Sequence, residues 1–160
     1  MQNYRKLVNE IRKKSFPEIK GHIIILEIPF AIPGAAIFYI FPRLKLMVFT
    51  NKCKELSKNP LTGLIAHELS HFSRFDKKGY WYYWKYFLFV YGEKARKEEK
   101  ETDKLTIRKG YGKEMIATKR KAEKLLKGTK WEKYLDNYLT EKEVLNYYNK
   151  IKKNSSPNKS

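Results

Sequence analysis

His67 and His71 stand four residues apart in the stretch Leu64-Ile65-Ala66-His67-Glu68-Leu69-Ser70-His71-Phe72, with Glu68 directly after the first of them. On an α-helix, residues four apart lie one above the other on one face, so both imidazoles can reach one ion at about 2.0 to 2.1 Å. Glu68 lies beside them, where its carboxylate meets a water at the metal rather than the ion itself, the position of a general base. The spacing therefore predicts a hydrolytic zinc site with His67 and His71 as ligands and Glu68 as base. The same stretch reads as helix without the motif. Asn59-Pro60 has the form of an N-cap followed by a first-turn proline, and Leu61, Leu64, Ile65 and Phe72 supply an apolar face. The plainer alternative is two surface histidines on an ordinary helix.

Catalytic zinc takes three protein ligands and keeps a fourth position open, so H-E-x-x-H is incomplete by itself. The metzincin pattern asks for glycine three residues after the second histidine and another histidine three further on, where this chain has Arg74 and Lys77. No histidine follows His71, and His22, which opens a predicted strand, is given no role, so attention falls on acidic residues. Asp76 is near in sequence, but the chain would have to leave the helix and turn back to use it. A richer source is the stretch from Glu98 to Asp103. Glu93 to Lys109 reads as a helix between Gly92 and Gly110, with Glu93 in its first turn and Arg108 and Lys109 in its last, as the helix dipole favours. One face carries Ala95, Glu99, Thr102, Asp103 and Thr106, small side chains beside two carboxylates, which suits close approach to another backbone.

In these residues the chain resembles the gluzincin metallopeptidases, in which a separate glutamate helix downstream of H-E-x-x-H supplies the third ligand, commonly as Glu-x-x-x-Asp. Glu99-Lys100-Glu101-Thr102-Asp103 matches that pattern. The resemblance implies His67, His71 and Glu99 as ligands of one Zn2+, Glu68 as base, and Asp103 as acceptor for a histidine ring N–H, which fixes the tautomer and raises ligand basicity. A register one residue earlier would make Glu98 the ligand. The order of strands, H-E-x-x-H helix, connector, glutamate helix and C-terminal helices is most similar to the minigluzincins and to the soluble core of the integral-membrane prenyl-protein endopeptidases, over roughly residues 20–112. It implies a zinc-dependent endopeptidase acting on peptide or protein substrates. The alternative it carries is a zinc-binding but latent or inactive fold, a zymogen or interaction module, whose C-terminal helices cover the cleft. The chain lacks the downstream histidine that some gluzincins use to stabilise the oxyanion; Tyr111 could substitute.

The elements that must position these groups follow from periodicity. Tyr4, Leu7, Val8 and Ile11 make an amphipathic helix of Gln2 to Lys14, broken at Ser15-Phe16-Pro17. His22 to Ile28, Ala35 to Phe41 and Leu44 to Thr50 are β-branched and aromatic runs separated by Pro and Gly, hence three strands. A transmembrane helix over Ile23 to Phe41 would contain Glu27, Pro29 and Pro33, which disfavours it. The third strand, just before the H-E-x-x-H helix, is expected to take extended substrate at the sheet edge. Between Gly79 and Gly92 run twelve residues, Tyr80 to Tyr91, of which only Lys85 is charged. They are expected to be core covering the H-E-x-x-H helix, with a peripheral membrane contact as the alternative, since a helix of about 18 Å cannot span a bilayer core of about 30 Å. Further on, Met115, Ile116, Ala122, Leu125 and Leu126 form one helical stripe. Thr129-x-x-Glu132 and Thr140-x-x-Glu143 read as capping boxes opening two more helices.

These elements define an α+β fold: a small sheet of three or more strands packed on the H-E-x-x-H helix, then a glutamate helix and a C-terminal helical part. One domain over residues 1–152 is expected, with an α/β part over about 1–78, a helical part over about 79–152 and a polar tail over 153–160. The net charge of +18 is evenly spread, with 15 Lys/Arg against 6 Asp/Glu in residues 1–92 and 20 against 11 in residues 93–160. With basic residues interleaved among glutamates and no nucleic-acid module, no nucleic-acid partner is expected, and a basic protein binding nucleic acid or an anionic membrane surface stands as the third and least favoured function. A single cysteine, Cys53, and an N-terminus without the apolar core of a secretory signal point to the cytoplasm.

Overall fold

The computed structural model describes residues 4–155 as an α+β chain, mostly helical, with one small mixed sheet. Its elements are α1 (Tyr4–Ser15), β1 (His22–Ile28), β2 (Ala35–Phe41), β3 (Leu44–Thr50), α2 (Lys58–Lys78), α3 (Tyr80–Phe89), α4 (Glu93–Thr106), α5 (Gly112–Leu126) and α6 (Glu141–Ser155). All three strands have the bounds that the apolar runs predict. The expected helix from Gln2 begins at Tyr4 among the described residues, and Gln2 lies outside them. At the other end α6 continues through Lys153 to Ser155, so the tail expected from 153 is still helical there; residues 156–160 lie outside the described chain.

The sheet order is β1-β3-β2, with β1 parallel and β2 antiparallel to β3. This corrects one expectation. β3 is the central strand, both of its edges are taken by neighbours, and it has no free ladder to offer an extended substrate. Chain order does not give spatial order: β2 and β3 form a hairpin through Pro42-Arg43, and β1 joins on the far side of β3. The inward face of β3 alternates Lys45, Met47 and Phe49, none of them exposed. Phe49 stacks on Tyr4 of α1 at 4.8 Å, and Tyr39 of β2 meets Phe72 of α2 edge-on at 5.4 Å.

α2 is the element the others surround. From Ile65 to Ser73 every residue is buried, polar ones included, so each polar group there needs a partner. Its start differs from the sequence expectation, since Ser57 is the N-cap residue and Pro60 sits in the third helical position, where its missing N–H still costs no intrahelical bond. α5 lies closest against it at Gly63, where a Cβ would overlap Thr118 Oγ1 and stand 2.6 Å from the Glu114 carbonyl oxygen. Thr118 Oγ1 donates to the Pro60 carbonyl at 3.0 Å across this contact.

The core is in two clusters. The larger joins α1, the sheet, α2 and the inner side of α3, and takes in Cys53; the smaller joins Ile107, Met115, Leu139 and Val144, with Tyr147, Tyr148 and Ile151 against it. α3 thus packs with the sheet side of the molecule. Of the two expected capping boxes, Thr140/Glu143 is formed: the Thr140 N–H donates to Glu143 Oε2 (2.8 Å) and the Glu143 N–H to Thr140 Oγ1 (3.2 Å). Thr129/Glu132 is not. There Glu132 accepts from the Gly128 N–H, and the chain makes only a short 3-10 turn, Glu132–Asn137. Tyr138 is then extended, because Thr140 already begins α6.

Candidate metal centre

α2 and α4 pack against each other, with the small side chains of Ser70 and Thr106 meeting directly between them. Thr106 Oγ1 donates to Ser70 Oγ at 2.8 Å, a contact that small side chains permit. This approach brings His67, His71 and Glu99 together. His71 Nε2 lies 3.1 Å from His67 Nε2 and 3.1 Å from Glu99 Oε2, and His67 Nε2 lies 3.3 Å from Glu99 Oε2. These are the three potential metal-ligating residues whose donor atoms cluster among the described residues.

The outer nitrogens are occupied. His67 Nδ1 pairs with Asp103 Oδ1 at 2.9 Å. A carboxylate only accepts, so the His67 proton sits on Nδ1 and the Nε2 lone pair faces the cluster. Thr102 Oγ1 donates to the Glu98 carbonyl (2.9 Å), which leaves its oxygen to accept from His71 Nδ1 at 3.3 Å. The second imidazole is thereby held in the same tautomer. Two nitrogen lone pairs and one carboxylate oxygen then converge on one point. For a tetrahedral ion at about 2.0 to 2.1 Å the ligand atoms stand about 3.3 to 3.4 Å apart, close to the spacing here. The residues fit a zinc-sized cation.

Electrostatics say the same. Burial opposes a charge on His67, but Asp103 and Glu99 outweigh it and push the imidazole up to about 10, so without metal the cluster holds a proton. Burial also works against the Glu99 carboxylate, yet the two histidines hold it well below its ordinary range. A metal ion would displace the proton and answer the same carboxylates. Glu68 is 6 % exposed, and burial raises its carboxyl against the pull of His67 and His71. Asp103 is fully buried; burial is offset by Lys119, whose Nζ is 3.0 Å from Oδ1 and 2.8 Å from Oδ2, and by His67. The backbone N–H of Leu139 donates to Asp103 Oδ2 at 2.9 Å, so this carboxylate ties α2, α4, α5 and the segment before α6 together.

The other acidic choices are spoken for. Glu98 points away from the histidines and takes Arg74 Nε (2.9 Å) and Lys78 Nζ (2.9 Å). Asp76 serves the sheet: its Oδ1 accepts from Tyr39 Oη at 2.7 Å and pairs with the fully buried Lys45 at 3.1 Å. Tyr111 is not brought to the cluster. It ends the segment Ile107–Tyr111, where the chain kinks between α4 and α5 at Gly110 (φ 97°), and its ring lies on Phe16 and its hydroxyl on Ser15 at 3.0 Å. The phenol beside the centre is Tyr138, whose ring lies 5.7 Å from that of His67 with Lys119 Nζ 4.4 Å over it. Burial and the charges of Glu99, Glu68 and Asp103 hold Tyr138 in its neutral form. Sequence reasoning missed Tyr138 and Lys119. Tyr138 sat at helical spacing from Tyr134, and only the adjacent Thr140 cap signalled that the helix could not continue through it.

Compared with protein-family models, with curated proteins and with solved structures, the chain matches none. What the chain defines by itself is an α+β fold in which two histidines of the buried central helix α2 and one glutamate of α4 form a cluster able to hold a metal.

Proposed function

We propose that the chain is a zinc-dependent endopeptidase of gluzincin type, with His67, His71 and Glu99 holding the ion and Glu68 as general base. The observation that carries this reading is the pairing of both Nδ1 atoms, by Asp103 and Thr102, which leaves both Nε2 lone pairs facing Glu99. When bound, the ion supplies Lewis acidity that polarises a carbonyl and makes water a nucleophile near neutral pH. Glu68 takes the water proton and hands it to the leaving amine, and its raised affinity for protons suits a group that must do both. Asp103 and Thr102 keep the two rings in one tautomer throughout.

Tyr138 favours a second reading, that the full chain is latent. Its side chain covers His67 from the C-terminal segment, anchored by Leu139 on Asp103. The experiment is metal analysis together with cleavage of an unfolded protein by the full chain and by variants. Glu68→Gln should keep zinc and lose cleavage; equal cleavage by both would sink the mechanism. Glu99→Ala should lose zinc, and Glu98→Ala and Asp76→Ala should not. Cleavage that appears only in Tyr138→Ala selects the latent reading.

A further inference from the structure

The outward face of the sheet and one side of α3 form a single apolar surface. Along β1, Ile24, Leu26 and Ile28 are 39 %, 48 % and 43 % exposed. The register sets Ile24 beside Leu46 of β3, and Leu46 beside Phe38 of β2. Phe38 meets Phe87 of α3 edge-on at 5.9 Å, and Phe87 meets Trp84 at 5.9 Å. Around the helix from Trp84 come Leu88 and Trp81, 49 % and 81 % exposed. Only the inner side of α3 is core, with Tyr83 buried against Tyr39 at 4.7 Å. A surface of this extent marks a docking site.

Charge says what docks there. Neither the stretch from Ile28 to Lys54 nor that from Lys77 to Gly92 contains an acidic residue, and Glu27, the one acid of β1, is ion-paired with Lys54. Lys85 stands beside Trp81 on α3. Beyond the far end of the sheet, Phe30 meets Trp131 at 5.6 Å, with Lys130 Nζ 5.2 Å from the Trp131 ring. We propose that this face docks on the surface of an anionic lipid bilayer, with the sheet and α3 lying flat at the interface. A second copy is the poorer occupant, since it would set one +18 chain against another across a face with no acid to answer its cations. Insertion across the bilayer is not available: no helix among the described residues is long and apolar enough to cross a membrane. Exposed tryptophan and tyrosine flanked by lysine are the side chains that interfaces favour. The proposal does not rest on the metal centre.

The test is sedimentation of the full chain with vesicles of equal parts phosphatidylcholine and phosphatidylglycerol, against vesicles of phosphatidylcholine alone, at low and high salt. Binding to the anionic vesicles is expected, weakening with salt. The paired change Trp81→Ser/Leu88→Ser, and separately Leu26→Ser/Ile28→Ser, should each weaken it by about tenfold or more. Lys85→Glu, which leaves the apolar face intact, should weaken it by more than about fivefold. All these positions are exposed, and unchanged thermal unfolding shows that the fold is kept. No binding at low salt overturns the proposal. So does binding that both paired apolar changes leave intact, which is adsorption of a basic chain by other surfaces, and so does a dimer in velocity sedimentation that these changes dissolve.

Discussion

Asp103 takes four polar contacts on its two oxygens, and replacing it by asparagine separates what each one does. Oδ1 takes His67 Nδ1 and Lys119, and Oδ2 takes Lys119 and the Leu139 N–H. Whichever way the new side-chain amide turns in Asp103→Asn, its NH2 meets a donor: in place of Oδ1 it faces His67, in place of Oδ2 it faces Leu139. The Lys119 ammonium, 8 % exposed as a residue, is left without its countercharge. Breaking a buried pair from one side costs about 3 to 5 kcal/mol of stability. The effect on metal should be separate: loss of an acceptor that orients a ligating imidazole weakens binding about 10- to 100-fold, or about 1.4 to 2.7 kcal/mol.

The two effects are told apart by Lys119→Met. Asp103→Asn/Lys119→Met no longer buries an unpaired ammonium, so denaturant unfolding should recover most of the lost stability, while competition with a chelator should still show the weakened zinc affinity. Both quantities are measured on the same two variants. If zinc affinity returns along with stability, Asp103 acts on the fold alone, and the argument from the His67 tautomer is wrong. If affinity is unchanged in Asp103→Asn itself, the Glu99 and His71 contacts are enough to orient the site.

Gly63→Ala should lower stability by about 1 to 3 kcal/mol, because its Cβ would overlap Thr118 Oγ1 and press on the Glu114 carbonyl of α5; unfolding in urea reads it, and a neutral result would mean that α5 sits further from α2. Acid should loosen the junction of the α1–β1 connection with α2. Burial works against the Glu18 carboxylate, but hydrogen bonds from Lys109 and Ser73, each 2.7 Å, outweigh it and hold it below its ordinary value of 4.5. A depressed carboxyl contributes stability above about pH 4.5 and loses it as the pH falls through the folded value, so Glu18→Gln should flatten the acid limb of a melting-temperature profile and leave its neutral limb parallel.

The sequence was most legible where one local rule decided the outcome. The strands could be bounded to the residue because Pro and Gly break the apolar runs on either side. Helical period made legible that His67 and His71 share one face of α2 and that Glu99, Thr102 and Asp103 share one face of α4, whereas the choice of Glu99 over Glu98 rested on the gluzincin resemblance; the three donor groups do converge. What failed was whatever depends on two segments meeting. β3 reads like an edge strand until β1 pairs with its far side, and no residue of β3 carries that information. Lys119, on α5, is one basic residue among 35, marked off only by the buried carboxylate of Asp103 that it faces on α4. The stretch from Tyr80 to Tyr91 reads as core, with a peripheral membrane contact as the alternative, but only its inner side is core, with Tyr83 buried while Trp81, Phe87, Leu88 and Phe89 are exposed. Aromatic density alone cannot separate them, since the same ring that fills a core at Tyr83 would stabilise an interface at Trp81. What separates them is the helical phase relative to β2, set where Tyr80 and Tyr83 donate to the Ile40 and Ile37 carbonyls of that strand's outer edge. Those two hydroxyls close the edge against further pairing. They also fix the rotation that turns Trp81 and Leu88 away from the core.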